Sequence, residues 1–256
     1  MIGHTRGRCG IIIFLGCTVL YERLIQEFPD VLFESCASGG ARFDPGMLHY
    51  APQAWTSDDT DAVERIKIQY GTSYVYPLSS MGSHVSASPN HQIFRSTSLE
   101  TRGNVAYFGT FGYELDITKL TEKELEQMKE QITFMKQHRD LIQKGEFYRL
   151  ESPFKGNQAA WEVVAKDGSE GLMAYFRVRQ PIQGKLERIY FSGLEETKAY
   201  EVRECFGEKT DFGVHYGDEL MYVGFSVSDC SSGLVGVART GQGDGYSRLF
   251  HFRKVN

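Results

Sequence analysis

Apolar and polar positions in the first half of the chain follow two different periods, which predicts strands and helices in alternation. The predicted strands are VLFES (31–35), AWTS (54–57) and SYVYPLSSMG (73–82). The segment TDAVERIKIQYG (60–71) predicts a helix that Thr60 or Asp61 caps and that Gly71 ends. Strand and helix units at this spacing indicate a parallel βα architecture.

A long helix is predicted to begin after Thr121, because Thr121 and Glu124 have the spacing of a capping box. Its apolar residues recur at intervals of three and four, at Leu125, Met128, Ile132 and Met135. This stripe is typical of core packing, and a partner surface is the alternative. Gly145 predicts the end of the helix.

Beyond about residue 147 the pattern changes to strands with a period of two, separated by tight turns. The predicted strands are QAAWEVVA (158–165), EGLMAYFRVRQ (170–180), ERIYFSGL (187–194), KAYEVREC (198–205), ELMYVGFSV (219–227) and SRLFHFRK (247–254). The turn KDGS (166–169) joins the first two as a hairpin. We therefore expect an antiparallel β-sandwich.

These patterns divide the chain into three regions: an atypical N-terminal segment (1–19), a βα domain (20–146) and a C-terminal antiparallel β domain (147–256). In the first region, two arginines precede the apolar run CGIIIFLGCTVLY (9–21), which resembles the start of a secretory signal. The run is too short to span a bilayer, and no small-residue cleavage site follows it. The favoured interpretations are a buried strand, the start of a helix, or an artefact of where the reading frame begins.

Composition excludes several classes of function. The 256 residues carry a net charge of -5 without a basic stripe, which argues against a nucleic-acid partner. The five cysteines are scattered without metal-ligand spacing, at Cys9, Cys17, Cys36, Cys205 and Cys230. We therefore expect a reducing, cytoplasmic setting, with no metal site, no cofactor and no membrane partner.

The stretch WTSDDTD (55–61) places three carboxylates beside Trp55. One interpretation is a solvated turn or a helix cap. The other is a catalytic acid beside a sugar, with Trp55, and Tyr74 or Tyr76, as the apolar surface on which the sugar ring stacks. In parallel βα folds, chemistry lies at the carboxyl ends of strands, where this stretch falls. Serine catalysis and phosphate binding are unsupported, because neither a GxSxG pattern nor a Walker lysine occurs.

The segments FPDVLFESCASGGARFDPGMLHYAPQAWTSDDTDAVERIKIQYGTSYVYPLSSMGSHVSASPNHQ (28–92) and LETRGNVAYFGTFGYELDITKLT (99–121) closely resemble bacterial α-galactosidases of glycoside hydrolase family 36. The resemblance implies the C-terminal part of a TIM (β/α)8 barrel followed by an antiparallel β-sandwich domain. It also implies hydrolysis of terminal α-galactose from oligosaccharides such as melibiose and raffinose, with retention of configuration. Proteins of this family are often homo-oligomers.

The resemblance also implies roles for particular residues. Asp58 matches the general acid/base, and Asp59 and Asp61 would supply like charge that keeps it protonated. The galactose pocket would be lined by four residues: Cys36, Gly39, Arg42 and Trp55. Glu34 and Asp44 are candidates either for orienting these residues or for pairing with Arg42. His84 and His91 are candidates for the barrel mouth or for turn caps.

One departure from the family pattern concerns the nucleophile, which the family places in a Lys-Trp-Asp motif. The only two tryptophans, Trp55 and Trp161, are not followed by aspartate. We therefore expect a truncated or frame-disrupted gene, and little or no hydrolysis by the isolated chain. The alternatives are a related α-galactoside transferase, an α-N-acetylgalactosaminidase, or a non-catalytic sugar-binding or interaction module.

Overall fold

A computed structural model describes residues 3–36, 43–181, 188–206, 211–227 and 243–255, without the side chains of 3–11 and 14. The chain divides into two compact units, Met1–Asp58 and Asp59–Asn256. The domain boundary predicted near residue 146 lies inside the second unit.

In its described residues, the first unit contains a long helix and a parallel pair of short strands. Its elements are α1 (Gly3–Glu27), β1 (Glu34–Ser35), a 3-10 turn (Met47–His49) and β2 (Gln53–Trp55). In the parallel pair, Ser35 of β1 lies opposite Ala54 of β2. Tyr21 of α1 packs against Phe33 before β1 and against Tyr50 before β2, with ring centroids 6.3 and 6.0 Å away. These ring contacts hold the helix against the segments that lead into both strands.

The described part of α1 exposes an apolar face. Five of its apolar side chains are more than half exposed: Ile12, Ile13, Leu15, Val19 and Leu20. Exposed apolar surface of this kind favours association. Within the described residues, no helix combines the length and the apolar character that crossing a bilayer requires.

The second unit begins with helices alternating with parallel strands, followed by a long helix. These elements are α2 (Ala62–Thr72), β3 (Met81–Ser86), α3 (Leu99–Ala106), β4 (Thr110–Glu114) and α4 (Glu122–Lys144). β3 and β4 pair in parallel, with Gly82 opposite Thr110 and Ser86 opposite Glu114. Because α3 connects two parallel strands, this is the βα architecture that the sequence predicts.

The prediction of a strand at residues 73–82 is wrong for most of that range. The segment from Tyr74 to Tyr76 forms a turn, in which the Tyr74 amide donates to the carbonyl of Gly71. Tyr74 and Val75 are 65% and 70% exposed, so their apolar pattern does not reflect a buried face. The strand begins at Met81 and contains three polar side chains, which weakened its sequence signal.

The capping box predicted for α4 is confirmed. The Thr121 hydroxyl accepts a hydrogen bond from the Glu124 amide, and the Glu124 carboxylate accepts one from the Thr121 amide at 2.9 Å. Met128 and Met135 of the apolar stripe are buried, whereas Leu125 is 36% exposed, so the stripe packs into the core only in part. Gly145 ends the helix with an ordinary negative φ. A Cβ there would lie 2.6 Å from the Leu141 carbonyl oxygen, so close packing requires the glycine.

The described residues in the rest of the second unit form mainly antiparallel β structure. Its strands are β5 (Glu146–Glu151), β6 (Gln158–Val164), β7 (Glu170–Arg177), β8 (Arg188–Ile189), β9 (Ala199–Glu204), β10 (Asp211–Tyr216), β11 (Phe225–Ser226) and β12 (Tyr246–Lys254). Six strands form one sheet in the order β10-β9-β12-β7-β6-β5, and β11 pairs with β8. Ile189 and Phe225 of the small sheet share one buried cluster with Phe250 and Phe252 of the large sheet. Two layers therefore pack face to face, as the predicted sandwich requires.

The prediction of a strand at residues 219–227 is wrong for most of that range. Glu219–Val223 is a π-helical turn, and only Phe225–Ser226 forms a strand. Leu220 is buried, whereas Tyr222 and Val223 are exposed, so this apolar run does not line one buried face. Strand β10 lies in a segment for which the sequence analysis predicted no strand.

Within the second unit, hydrogen bonds join the βα part to the β-sandwich. The Asn104 amide of α3 donates to the Ser247 hydroxyl of β12 at 3.0 Å. The Arg149 guanidinium of β5 donates to the Ser73 hydroxyl after α2 at 2.8 Å. These contacts across the predicted boundary explain why the two parts form one compact unit.

Candidate active site

The three carboxylates of WTSDDTD have different surroundings. Asp61 is buried, and its carboxylate accepts hydrogen bonds from the Val63 and Glu64 amides at 3.1 Å, which caps α2. The same carboxylate pairs with Arg95. The helix-cap interpretation is therefore correct for Asp61, and the charge that this residue was expected to direct at Asp58 is compensated by Arg95.

Asp59 also has a cationic neighbour. Its carboxylate accepts a hydrogen bond from the Asp61 amide at 3.1 Å. Burial lowers the pKa of the Arg65 guanidinium to about 10, while the negative charges of Asp59 and Glu114 act in the opposite direction. Arg65 therefore remains charged at neutral pH beside these two carboxylates. Asp58, in contrast, is an exposed side chain at the end of the first unit.

Thr60, which follows Asp59, is anchored through all three of its polar groups. Its carbonyl accepts a hydrogen bond from the Ser86 hydroxyl at 2.6 Å. Its hydroxyl accepts one from the Asn90 side-chain amide at 3.0 Å, and its backbone amide donates to the Gln92 side chain at 3.4 Å. The last residue of β3 and the loop that follows it therefore hold the chain in place directly after Asp59.

The residues predicted to line a galactose pocket are described in part. Cys36 is exposed and follows β1, and Trp55 is buried as the last residue of β2. Because β1 and β2 are parallel, their carboxyl ends lie at the same edge of the pair. Gly39 and Arg42 lie outside the described residues.

Tyr74 and Tyr76 are not placed where a sugar platform was expected. Both lie in the turn that precedes β3, whereas sites in βα barrels lie at the carboxyl ends of the strands. The Arg149 guanidinium stacks over the Tyr74 ring at 4.4 Å from its centroid. This ring therefore packs against the β-sandwich.

The other acidic candidates have local partners. Glu34 is exposed and accepts a hydrogen bond from the Gln53 side chain. Asp44 accepts one from the Met47 amide at 3.0 Å, which closes a turn. The partner that both were expected to share, Arg42, lies outside the described residues.

The two histidine candidates lie in different environments. His84 is on β3, with its Nδ1 3.7 Å from a carboxylate oxygen of Glu114 at the end of β4. His91 is exposed in the loop after β3. Among the described residues, no group of three or more His, Cys, Asp and Glu side chains is arranged to hold a metal ion.

Sequence reasoning missed four residues that organise this region: Arg65, Asn90, Arg95 and Glu114. Asn90 is the one with a local signal, because Pro-Asn before a polar run is typical of a turn. Arg95 and Glu114 lie 30 or more positions from Asp61 and His84, their ion-pair partners, so no spacing reveals them.

Comparison with known proteins identifies the family. Residues 4–145 match the family described as Melibiase, and residues 158–252 match the glycosyl hydrolase family 36 C-terminal domain. The chain belongs to glycoside hydrolase family 36. The first match begins before Leu20, within the N-terminal segment that the sequence analysis set apart. Both parts of the predicted architecture, a partial barrel and a C-terminal β domain, agree with these matches.

Individual family 36 proteins resemble the chain over most of its length. α-Galactosidase AgaA of Geobacillus stearothermophilus is 54% identical over 221 residues, which are 86% of this chain and 29% of AgaA. α-Galactosidase Mel36A of Lactobacillus acidophilus is 41% identical over 245 residues, which are 94% of this chain and 31% of Mel36A. A crystal structure of an AgaA variant in complex with raffinose superimposes with a TM-score of 0.84 at 50% identity, covering 94% of this chain and 31% of that one. The chain thus spans about three tenths of the length of these relatives.

Proposed function

We propose that this chain supplies the acid/base part of a retaining α-galactosidase, with Asp58 as the proton donor. The observation that carries the proposal is the contrast among the three neighbouring carboxylates. Asp61 caps a helix and pairs with Arg95, and Asp59 accepts a backbone hydrogen bond beside Arg65. Asp58 is the exposed member of the group.

In this mechanism the Asp58 carboxyl protonates the glycosidic oxygen as the bond to the leaving group breaks. A second carboxylate, about 5 to 5.5 Å away, attacks the anomeric carbon and forms a covalent intermediate. Asp58 then acts as a base and removes a proton from the water that hydrolyses this intermediate. Because no Lys-Trp-Asp motif occurs in the 256 residues, we propose that the nucleophile comes from outside this sequence.

The proposed substrate is a terminal α-galactoside such as raffinose, with which an AgaA variant has been crystallised. Cys36, Gly39, Arg42 and Trp55 are the proposed galactose-binding residues, because they match the family motif. We also propose a cytoplasmic role in carbohydrate metabolism, which the scattered cysteines support. The proposed assembly is a homo-oligomer of the completed enzyme, as is common in the family.

The test compares two proteins: the isolated chain, and a chimera in which the chain replaces the matching 29% of AgaA. The expected result is galactose release from raffinose by the chimera, with little or none by the isolated chain. A folded but inactive chimera would refute the assignment of the acid/base to this chain. Turnover by the isolated chain at the rate of AgaA would show that another carboxylate here serves as nucleophile.

A further inference from the structure

The parallel pair of β3 and β4 has one face covered by helices. On β3, Val85 belongs to a buried cluster with Leu99 and Ala106 of α3. On β4, Phe111 and Tyr113 pack against the same cluster. Because side chains alternate between the two faces of a strand, the neighbouring positions project from the opposite face.

The opposite face carries a histidine and a carboxylate near the carboxyl ends of the strands. His84 of β3 lies on this face, and so does Glu114, the last residue of β4. Their side chains are 26% and 55% exposed, with 3.7 Å between the imidazole Nδ1 and a carboxylate oxygen. In a βα barrel the helices cover the outside and substrates bind at the carboxyl ends of the strands, so Glu114, the last residue of β4, and its neighbour His84 lie on the inner face near that end.

The backbone of β4 is adapted to the histidine ring. Gly112 lies opposite His84 in the strand register. A Cβ at position 112 would lie 2.9 Å from His84 Cδ2, so the absence of a side chain leaves room for the imidazole against the strand. The ring position is therefore set by the strand pair rather than by a loop.

Charge links this pair to the acidic stretch. The buried Arg65 guanidinium donates to the Gly82 carbonyl of β3 at 2.6 Å. The negative charges of Asp59 and of Glu114 both raise the pKa of that guanidinium, against the effect of burial. Asp59 and Glu114, at the end of β4, thus both act on the charge of Arg65.

We propose that His84 and Glu114 form a sugar-binding pair, in which the imidazole N–H and the carboxylate bind neighbouring hydroxyl groups of the galactoside. This inference rests on the proposed function, because it takes the same galactoside as the ligand. A carboxylate accepts hydrogen bonds from two hydroxyls, and the imidazole adds a donor. The pair thus contributes to binding rather than to proton transfer.

The test uses the AgaA chimera and measures the dissociation constant for galactose by calorimetry, together with KM and kcat for raffinose. His84→Ala and Glu114→Gln are each expected to raise the dissociation constant and KM about tenfold, the effect of one lost hydrogen bond to a charged or polar group. We expect kcat to stay within about threefold and the thermal midpoint within about 2 °C, since both groups are partly exposed. Glu126→Gln, at an exposed carboxylate on α4, is the matched control and is expected to change nothing.

Unchanged galactose binding in both variants would overturn the proposal. A lower thermal midpoint with unchanged binding would also overturn it, because the pair would then be purely structural. The binding measurement is repeated in an Asp58→Asn background. If that substitution leaves turnover intact, the assignment of the acid is wrong, whereas the binding series still decides the role of His84 and Glu114.

Discussion

Arg95 pairs with the carboxylate of Asp61 although the two residues are 34 positions apart. This contact fastens the loop after β3 to the beginning of α2. Asn90 strengthens the same attachment, because its side chain donates to Thr60 and accepts from the Gln92 amide at 2.9 Å. The acidic stretch is thereby held from a distant loop, which no local pattern predicts.

Asp61→Ala is expected to lower the free energy of unfolding of the chain by about 2 to 3 kcal/mol, because α2 loses its cap and Arg95 loses its partner. Asp61→Asn keeps an acceptor for the cap and is expected to lower the free energy of unfolding by about 1 kcal/mol. Urea unfolding measures both values. Asp30→Ala, at an exposed aspartate, is the control, and an effect of Asp61→Ala as small as that of the control would refute the structural role.

Gly145→Ala is expected to destabilise the chain by about 2 kcal/mol or more, because the new methyl group overlaps neighbouring atoms. Its Cβ would lie 2.6 Å from the Leu141 carbonyl oxygen and 2.7 Å from that of Val164. Gly156→Ala is the matched control, because a Cβ there meets nothing within 4 Å. Equal thermal midpoints for the two variants would contradict the close packing between α4 and the sheet.

Glu162→Gln is expected to stabilise the chain at pH 8. The Glu162 side chain is fully buried and accepts a hydrogen bond from the Ser192 amide at 2.5 Å. Burial raises its pKa well above 4.5, so the folded state holds a proton that the unfolded state releases above that pH. Below pH 4.5 this group contributes its full stabilisation, because it is protonated in both states. Between pH 4.5 and its folded-state pKa, the free energy of unfolding falls by about 1.4 kcal/mol per pH unit.

Glutamine does not ionise, so the stability of the variant does not fall with pH through this position. Urea unfolding at pH 5 and pH 8 checks the prediction. The free energy of unfolding of Glu162→Gln is expected to exceed that of the wild type by more at pH 8 than at pH 5. An advantage for the wild-type glutamate at pH 8 would mean that the buried group is ionised in the folded state.

Cys36 is expected to react with a maleimide faster than Cys205 in the folded chain. Cys36 is exposed, whereas burial raises the pKa of the Cys205 thiol far above its usual value. In the chimera, galactose is expected to slow labelling of Cys36 and to leave Cys205 unchanged. Peptide mass mapping separates the two sites, and labelling of Cys36 that galactose does not slow would argue against its place in the pocket wall.

Sequence patterns predicted the elements that are set by local interactions. The capping box of Thr121 and Glu124 and the hairpin turn at Gly168, whose φ is +64°, both depend on neighbouring residues. The predictions failed where apolar residues are not buried, as at Val75 and Tyr222. Propensity alone does not distinguish an exposed aromatic turn from a strand.

The candidate site was predicted only as far as the family motif reaches. Asp58, Cys36 and Trp55 came from that motif, and their roles remain predictions. Partners such as Arg95 of Asp61 and Glu114 of His84 come from elements that meet only after folding. Long-range ion pairs of this kind have no sequence period, so the pattern of polar and apolar residues does not indicate them.

The decisive experiment is to compare Asp58→Asn with the parent chimera on two substrates, raffinose and 2,4-dinitrophenyl α-galactoside. A general acid contributes about 10² to 10⁴ in rate when the leaving group needs a proton, and much less when the leaving group is a weak base. We predict a loss of kcat/KM of at least about 100-fold on raffinose and a far smaller loss on the aryl galactoside. An equal loss on both substrates, or no loss on raffinose, would contradict the role of Asp58 as the proton donor.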